Sequence, residues 1–148
     1  MRWKLFLLGV FKIPIIGFVR PKLLHIDDTS VEVLIRFRRR TKNHLNSMYF
    51  GTLAVGADIA AGIQAFYFTE QMGKKVSLAF KGMKGEFIKR AESDVTFKSN
   101  QGSIILSALA ESKKNKSRVN VPIEVTATDK NNEVVAIFEM ELSLRVKV

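Results

Sequence analysis

Hydrophobic and polar residues alternate along several short stretches of this chain, and a period of two is typical of a half-buried β-strand. The alternation predicts strands over residues 22–29, 31–38, 76–88, 95–97, 119–127 and 138–146. Polar turns at 27–30 and 129–133 predict that the first two strands and the last two strands form hairpins. Two glycines inside the third strand predict a β-bulge there.

Three other segments have patterns that are typical of helices. Residues 50–71 are apolar almost all round and rich in small side chains, which predicts a long helix buried on most of its sides. Residues 103–114 predict a shorter amphipathic helix that Ser103 caps. Residues 2–12 predict a short apolar helix that docks on the domain or lines its pocket.

The order of these elements predicts an α+β fold. A buried helix between antiparallel strands requires a sheet curled around it, so we expect about five or six antiparallel strands wrapped around one long central helix. A chain of 148 residues with 47% hydrophobic content is long enough for one domain and too short for two. We therefore expect a single domain over 1–148, in which 1–21 is the N-terminal apolar helix and its connecting segment.

Residue types that commonly hold metal ions are scarce. The chain has no cysteine, which excludes disulfides, thiolate catalysis and cysteine-ligated metal sites. Its two histidines, His25 and His44, are far apart in sequence, so we expect no metal centre and no cofactor. The lack of cysteine also fits a reducing compartment, and we expect a cytoplasmic protein.

Positive charge is concentrated in the first third of the chain. The net charge is +10, and residues 1–50 hold ten Lys or Arg against three Asp or Glu, which leaves +7 there. This excess points to a nucleic acid, a lipid surface or a phosphorylated small molecule such as a coenzyme A ester; the alternative is a solvated basic surface. Most phenylalanines lie inside apolar segments instead of alternating with cations, which argues against nucleic acid.

Two segments resemble membrane-associated sequences. The N-terminus has a basic start and an apolar body, but Lys12 and Pro14 interrupt a run that is shorter than the roughly 20 residues needed to span a bilayer. Residues 45–69 are long enough, but Asp58 near the bilayer centre would cost about 2.5–3.5 kcal/mol on insertion scales. We therefore expect no membrane span, and contact of the N-terminus with a membrane surface is the less favoured alternative.

Asp58 is the only formally charged residue between Asn43 and Thr69. A carboxylate inside an apolar helix is costly unless it is paired, solvated or used in chemistry. Asp58 is therefore the leading candidate for a catalytic residue. The structural alternatives are a buried carboxylate paired with an arginine and a position at a solvated dimer interface.

The segment NHLNSMYFGTLAVGAD resembles a motif of the hotdog-fold thioesterases, in particular the PaaI-type branch of acyl-CoA thioesterases. That branch has an Asn, a Gly, a His-Gly-Gly run and then an acid seven positions after the last Gly. Asn43, Gly51 and Asp58 fall on the family's Asn, last Gly and acid, whereas Tyr49 and Phe50 replace its His-Gly pair. The same segment is also similar to a hotdog branch that often has no assigned function.

The resemblance implies a hotdog fold, a homodimer or dimer of dimers, and hydrolysis of an acyl-CoA thioester. Asp58 would act as general base or nucleophile, and Asn43 would orient the attacking water. The free N–H groups at a helix start near Gly51 can stabilise an oxyanion, and Asp58 lies about two turns further along the same face. In that family the site lies between protomers, so Asn43 of one chain would serve Asp58 of the other.

Several neighbouring residues are candidates for binding the substrate. Tyr49 either supplies a hydroxyl group or blocks the pocket, and Gln64 is expected to support Asp58 through a hydrogen bond. The acyl tunnel is expected to be lined by aromatic side chains and the N-terminal helix: Phe50, Phe66 and Phe68. Three residues of the motif segment also have a structural alternative. Gly51 would serve helix packing, Asn43 would only cap the loop, and His44 would be an ordinary loop histidine.

A basic cluster leads directly into the motif. Arg39, Arg40 and Lys42 suit the rim of a site that contacts the phosphates of coenzyme A, and a solvated surface is the alternative. Three functions stay open at this point. The favoured one is an acyl-CoA thioesterase acting on a hydrophobic acyl chain, the second is a non-catalytic binder of acyl-CoA or fatty acid, and the third is a membrane-associated structural or regulatory dimer.

Overall fold

The computed structural model describes residues 1–147. It begins with two short helices, α1 (Arg2–Leu7) and α2 (Pro14–Val19), which a π-helical turn over Leu8–Lys12 connects. The longer helices are α3 (Phe50–Gln71) and α4 (Gly102–Asn115). The strands are β1 (Lys22–Ile26), β2 (Val31–Ile35), β3 (Lys75–Phe87), β4 (Val95–Ser99), β5 (Val119–Thr128) and β6 (Val134–Lys147).

All six strands join one antiparallel sheet around α3, which confirms the predicted α+β architecture. The order across the sheet is β1-β2-β4-β5-β6-β3, so β1 and β3 form its two edges. The predicted hairpins form, and the predicted bulge in β3 is a shift of register between Phe80 and Gly82. The turn between β1 and β2 closes through Asp27, whose carboxylate accepts hydrogen bonds from the backbone N–H groups of Thr29 and Ser30.

Helix α3 is buried because the inner face of the sheet covers it. Val33, Ile35 and Phe97 are fully buried on that face, and the small residues of α3 allow the sheet to approach closely. Gly56 shows this most clearly, since a Cβ at this position would overlap with the ring of Phe97. The almost uniform apolar composition of residues 50–71 therefore matches an environment that is apolar on nearly every side.

The sequence prediction missed one helix and was wrong about one helix cap. Residues 2–12 form one continuous helical segment, as predicted, which is α-helical over Arg2–Leu7 and π-helical over Leu8–Lys12. A second helix, which was not predicted, follows from Pro14, because a proline at the first helical position has no N–H to lose and a backbone angle suited to a helix. Ser103 does not cap α4, which begins one residue earlier behind Gln101 without a side-chain cap. Strands β1 and β2 also end earlier than the alternation predicts.

Residues 2–19 form an N-terminal hairpin that packs against the rest of the fold. Gly9 and Gly17 bring its two arms into backbone contact, since a Cβ at Gly9 would lie 2.9 Å from the Cα of Gly17. Leu5 and Ile16 are buried, and the Nε of Arg2 donates a hydrogen bond of 3.2 Å to the Leu23 carbonyl. Within residues 1–147, no helix is both long enough and apolar enough to cross a membrane.

Candidate functional site

Asp58 lines an apolar cavity of about 360 Å³, called here the Asp58 pocket. Three elements form its walls: the N-terminal hairpin, α3 and β3. The lining residues besides Asp58 are Leu5, Leu8, Ile13, Ile16, Ile59, Gly62, Ile63, Phe66, Leu78, Ala79 and Phe80. All of them are apolar, so the Asp58 carboxylate is the only charged group in this lining.

Burial raises the pKa of the Asp58 carboxyl above its ordinary value, because apolar surroundings disfavour the ionised form. No cation within residues 1–147 opposes this effect by forming an ion pair with Asp58. The alternative of a carboxylate paired with an arginine is therefore not realised within one chain. A half-buried carboxyl with a raised pKa, facing a cavity, is suited to accept and return a proton.

Asn43 organises the loop that precedes α3. Its side-chain oxygen accepts hydrogen bonds from the backbone N–H groups of Leu45 and Ser47, at 2.9 and 3.1 Å, and from the Ser47 hydroxyl at 3.2 Å. Asn46 takes a left-handed backbone conformation in the same loop, with φ of 58°. These contacts position the loop, and the adjacent His44 side chain is exposed.

The start of α3 is covered by aromatic rings. Tyr49 immediately precedes the helix, and its ring occupies the space into which a Cβ of Gly51 would project. The ring centres of Tyr49 and Phe50 lie 4.8 Å apart, and Phe50 packs edge-on against Phe87 with 6.3 Å between ring centres. The first N–H groups of a helix have no partner within it, so this end retains hydrogen-bond donors, although the Tyr49 ring covers the space beside Gly51.

Gln64 does not support Asp58, which corrects the predicted hydrogen bond. Six residues correspond to about 600° of helical rotation, which places the two side chains about 120° apart around α3. Gln64 is fully buried on another side, and its Nε2 donates a hydrogen bond of 2.8 Å to the carbonyl of Asp27. Within residues 1–147, its Oε1 has no hydrogen-bond partner.

The basic cluster lies on the surface beside the N-terminal hairpin. Arg39 and Arg40 are exposed in a 3₁₀ turn over Arg39–Thr41, and the Arg40 guanidinium lies 5.8 Å from the centre of the Phe18 ring. The Lys42 ammonium lies 4.4 Å from the centre of the Phe37 ring. Arg40 and Lys42 are therefore held beside aromatic rings while their charges remain available to an anion.

One chain does not bring all the predicted site residues together. Tyr49 and Gly51 lie together at the start of α3 and Asn43 lies in the loop before it, whereas Asp58 faces a pocket that none of them lines. Seven residues of helix separate Gly51 from Asp58 by about 10 Å along the axis. Of the predicted tunnel aromatics, Phe66 lines the pocket, Phe68 is buried in the core and Phe50 is exposed.

The β3 contribution to the pocket was not predicted. Leu78, Ala79 and Phe80 complete the wall opposite the N-terminal hairpin. Nothing in the local pattern distinguishes these residues from any other half-buried strand, because pocket formation depends on which strand lies beside the middle of α3. The bulge that follows Phe80 was the one local sign of an irregular edge.

A wider groove of about 640 Å³ crosses the outer faces of β3, β5 and β6. Its carboxylates, Glu86, Glu124 and Glu139, are exposed to solvent, so it provides no desolvated acid comparable to Asp58. Within residues 1–147, no group of three His, Asp or Glu side chains is arranged to hold a metal ion.

Comparison with known families gives a clear assignment. The model of a family described as a domain of unknown function (DUF4442) matches residues 2–146. The chain belongs to this family. No curated protein sequence matches it.

Solved structures show the same architecture at low sequence identity. A Chlorobaculum tepidum protein of unknown function has a TM-score of 0.85 and 11% identity, and the match covers 97% of this chain and 93% of that one. A Pseudomonas aeruginosa protein described as a probable thioesterase has a TM-score of 0.77 and 18% identity, and the match covers 98% of this chain and 95% of that one. A Haemophilus influenzae thioesterase has a TM-score of 0.72 and 10% identity, and the match covers 97% of this chain and 90% of that one. The fold is therefore the hotdog fold.

Proposed function

We propose that this protein is a thioesterase-like hydrolase that cleaves thioesters of hydrophobic acyl chains, with acyl-CoA as the substrate class. The observation that carries the proposal is the single carboxylate of Asp58 in an otherwise apolar pocket. An apolar cavity suits an acyl chain, and a carboxyl with a raised pKa suits proton transfer beside it. The thioesterases among proteins with the same fold support this direction.

In the proposed reaction, Asp58 takes a proton from water as the water oxygen attacks the thioester carbonyl carbon. N–H groups at the start of α3 stabilise the resulting oxyanion. The C–S bond then breaks, and Asp58 returns the proton to the leaving thiolate. The products are a free acid and a free thiol, and Asp58 is regenerated.

The proposal includes a homodimer, because one chain separates the two halves of this site. The oxyanion donors near Gly51 of the partner subunit would face Asp58, and Asn43 of the partner subunit would position the water. The β3 edge is available for pairing between chains, since β3 is the last of the six strands and pairs with β6 on one side. A cytoplasmic location belongs to the same proposal, as the lack of cysteine suits a reducing compartment.

Arg39, Arg40 and Lys42 are proposed to bind the coenzyme A phosphates. Arg39 and Arg40 are exposed and Lys42 is half-buried, and all three are close to the loop that precedes α3, where the polar part of a thioester would lie. Neutralising Arg39 and Arg40 is expected to raise KM for acyl-CoA and to leave KM for the matching N-acetylcysteamine thioester unchanged.

The decisive experiment is a panel of acyl-CoA esters with a free-thiol readout. We expect turnover by the wild type and a loss of at least about 100-fold in kcat for Asp58→Asn, which cannot accept the proton. Glu70→Gln is the matched control, because Glu70 is an exposed acid on the same helix. Equal rates for Asp58→Asn and the wild type would remove Asp58 from the mechanism.

The second candidate is a non-catalytic binder of acyl-CoA or fatty acid. The ring of Tyr49 favours it, since this ring covers the space beside Gly51 through which a substrate carbonyl would approach the backbone. Calorimetric titration with acyl-CoA distinguishes the two functions. Tight binding by a wild type that releases no thiol supports the binder and contradicts the hydrolase.

A further inference from the structure

The outward side of the N-terminal hairpin is an exposed apolar surface. Trp3 and Phe6 stack with ring centres 5.5 Å apart, and their exposed fractions are 68% and 56%. Phe11 is 73% exposed, and Ile15 and Phe18 are more than half exposed as well. A concentration of large apolar side chains on this scale marks a surface that contacts another phase or another molecule.

The charges around this surface identify what covers it. Residues 1–26 contain five cations and no acidic residue: Arg2, Lys4, Lys12, Arg20 and Lys22. Arg40 adds another cation beside Phe18. A second copy of the chain would bring the same positive charge against itself, whereas an anionic lipid surface offers both negative headgroups and an apolar interior.

The same hairpin also encloses the Asp58 pocket. Leu5, Leu8, Ile13 and Ile16 form one wall of that pocket from the inner side. A second apolar cavity of about 310 Å³, called here the outer pocket, lies between the hairpin and α3 and includes the outward-facing Phe11. The two pockets share the side chains Leu5, Leu8, Ile63 and Phe66, so apolar surface continues from the outside of the hairpin to Asp58.

We propose that the N-terminal hairpin docks on an anionic lipid surface and that acyl chains pass from this surface through the outer pocket to Asp58. The cations of the hairpin contact lipid headgroups, and Trp3 and Phe6 insert at the level where aromatic side chains are favoured. The docking half stands independently of catalysis. The acyl-transfer half rests on the proposed function and assigns its substrate to thioesters that partition into membranes.

Docking is tested by co-sedimentation of the full chain with phosphatidylcholine vesicles that contain phosphatidylglycerol, and with pure phosphatidylcholine vesicles. We expect binding to the anionic vesicles, at least tenfold weaker binding to the neutral ones, and weakening at high salt. The double variant W3A/F6A is expected to lose at least tenfold in affinity, since both side chains are exposed. The control is I104A/L106A, which removes two exposed apolar side chains from α4.

Wild-type protein that fails to bind anionic vesicles, or W3A/F6A that binds as the wild type does, overturns the docking proposal. A lower molecular mass for W3A/F6A with unchanged vesicle binding also overturns it and assigns the surface to contact between copies. The K12Q/R20Q variant separates charge from insertion, and it should weaken binding to anionic vesicles more than binding to neutral ones.

Transfer is measured in two ways, so that its failure and a failure of catalysis differ. In W3A/F6A, hydrolysis of a vesicle-bound long-chain thioester should fall at least tenfold, while hydrolysis of a soluble short-chain thioester stays unchanged. A fluorescent fatty acid leaving vesicles for the protein reports the same route without turnover. No fatty-acid transfer by a protein that hydrolyses soluble thioesters overturns the route alone, and transfer without any hydrolysis overturns the hydrolase alone.

Discussion

Asp58 places a carboxyl group in the middle of α3, in a pocket lining that contains no cation. Residues at functional sites commonly weaken the folded state, because the environment that makes them reactive is not the one that stabilises them. Burial disfavours the ionised form of the Asp58 carboxyl and raises its pKa, so we expect this residue to weaken the folded state. Replacing a residue kept for packing or ion pairing would lower the stability of the folded state, whereas replacing Asp58 is expected to raise it.

We predict that Asp58→Asn raises the midpoint of thermal unfolding at pH 7. The folded state holds the Asp58 proton more tightly than the unfolded state, so its stability falls as the pH rises above the ordinary Asp value of 3.8. This decrease ends once the folded carboxyl has ionised as well. The gain from Asn should therefore be larger at pH 7 than at pH 4, as measured by calorimetry.

The control for this prediction is Glu70→Gln, which removes an exposed charge from the same helix and should change the midpoint little at either pH. An Asp58→Asn variant that is less stable than the wild type at pH 7 would show that the carboxylate has a stabilising partner in the assembled protein.

At the scale of the element, α3 combines the proposed catalytic position at Asp58 with close packing against the sheet. Its glycines fall into different environments, although the sequence presents them alike. A Cβ at Gly56 would overlap with the buried ring of Phe97, whereas a Cβ at Gly62 would meet the Leu78 side chain at 3.3 Å. One glycine is needed for the approach of the sheet, and the other lines the Asp58 pocket.

We predict that Gly56→Ala destabilises the protein by about 1–3 kcal/mol, because the fully buried Phe97 ring cannot move aside without disturbing the core. Gly62→Ala is the matched control on the same helix. It should be within about 1 kcal/mol of the wild type, since the gain in helix propensity offsets a small displacement of Leu78. Urea unfolding of both variants measures the difference, and equal losses would contradict this account of the packing.

The whole molecule decides whether the motif functions as a site. In one chain, Gly51 and Asp58 are separated along α3 by about 10 Å, which is too far for both to contact one thioester group. A symmetric dimer can solve this problem, because each subunit then supplies the half that the other lacks. The proposed activity therefore belongs to the assembly.

Mixing two inactive variants tests this arrangement. We predict that Asp58→Asn and Gly51→Val, each inactive alone, recover about a quarter of wild-type activity after subunit exchange, because half the dimers then hold one intact site of two. Thiol release from an equimolar mixture measures the recovery. Mixtures of either variant with itself are the control, and a mixture that stays inactive would place the complete site within one chain.

Periodicity along the chain was sufficient to predict the architecture. Strands β5 and β6, their turn and the buried helix α3 were all predicted, since their patterns reflect one environment held over many residues. The family resemblance added the hotdog assignment from three positions. The start of α2 and the cap of α4 were missed, because helix ends depend on single residues whose local preferences have several solutions.

The sequence by itself determined that Asp58 is the one charged residue between Asn43 and Thr69, inside a long apolar helix, and that the sheet must surround this helix. Only the tertiary structure decided that Asp58 faces an apolar pocket and that, within residues 1–147, neither a cation nor Gln64 contacts it. It placed the N-terminal hairpin and β3 around the carboxylate and directed Gln64 to the turn at Asp27. The physical reason is that the buried face of a helix or strand can be predicted from local periodicity, whereas a pocket forms from side chains that meet only when distant segments pack together.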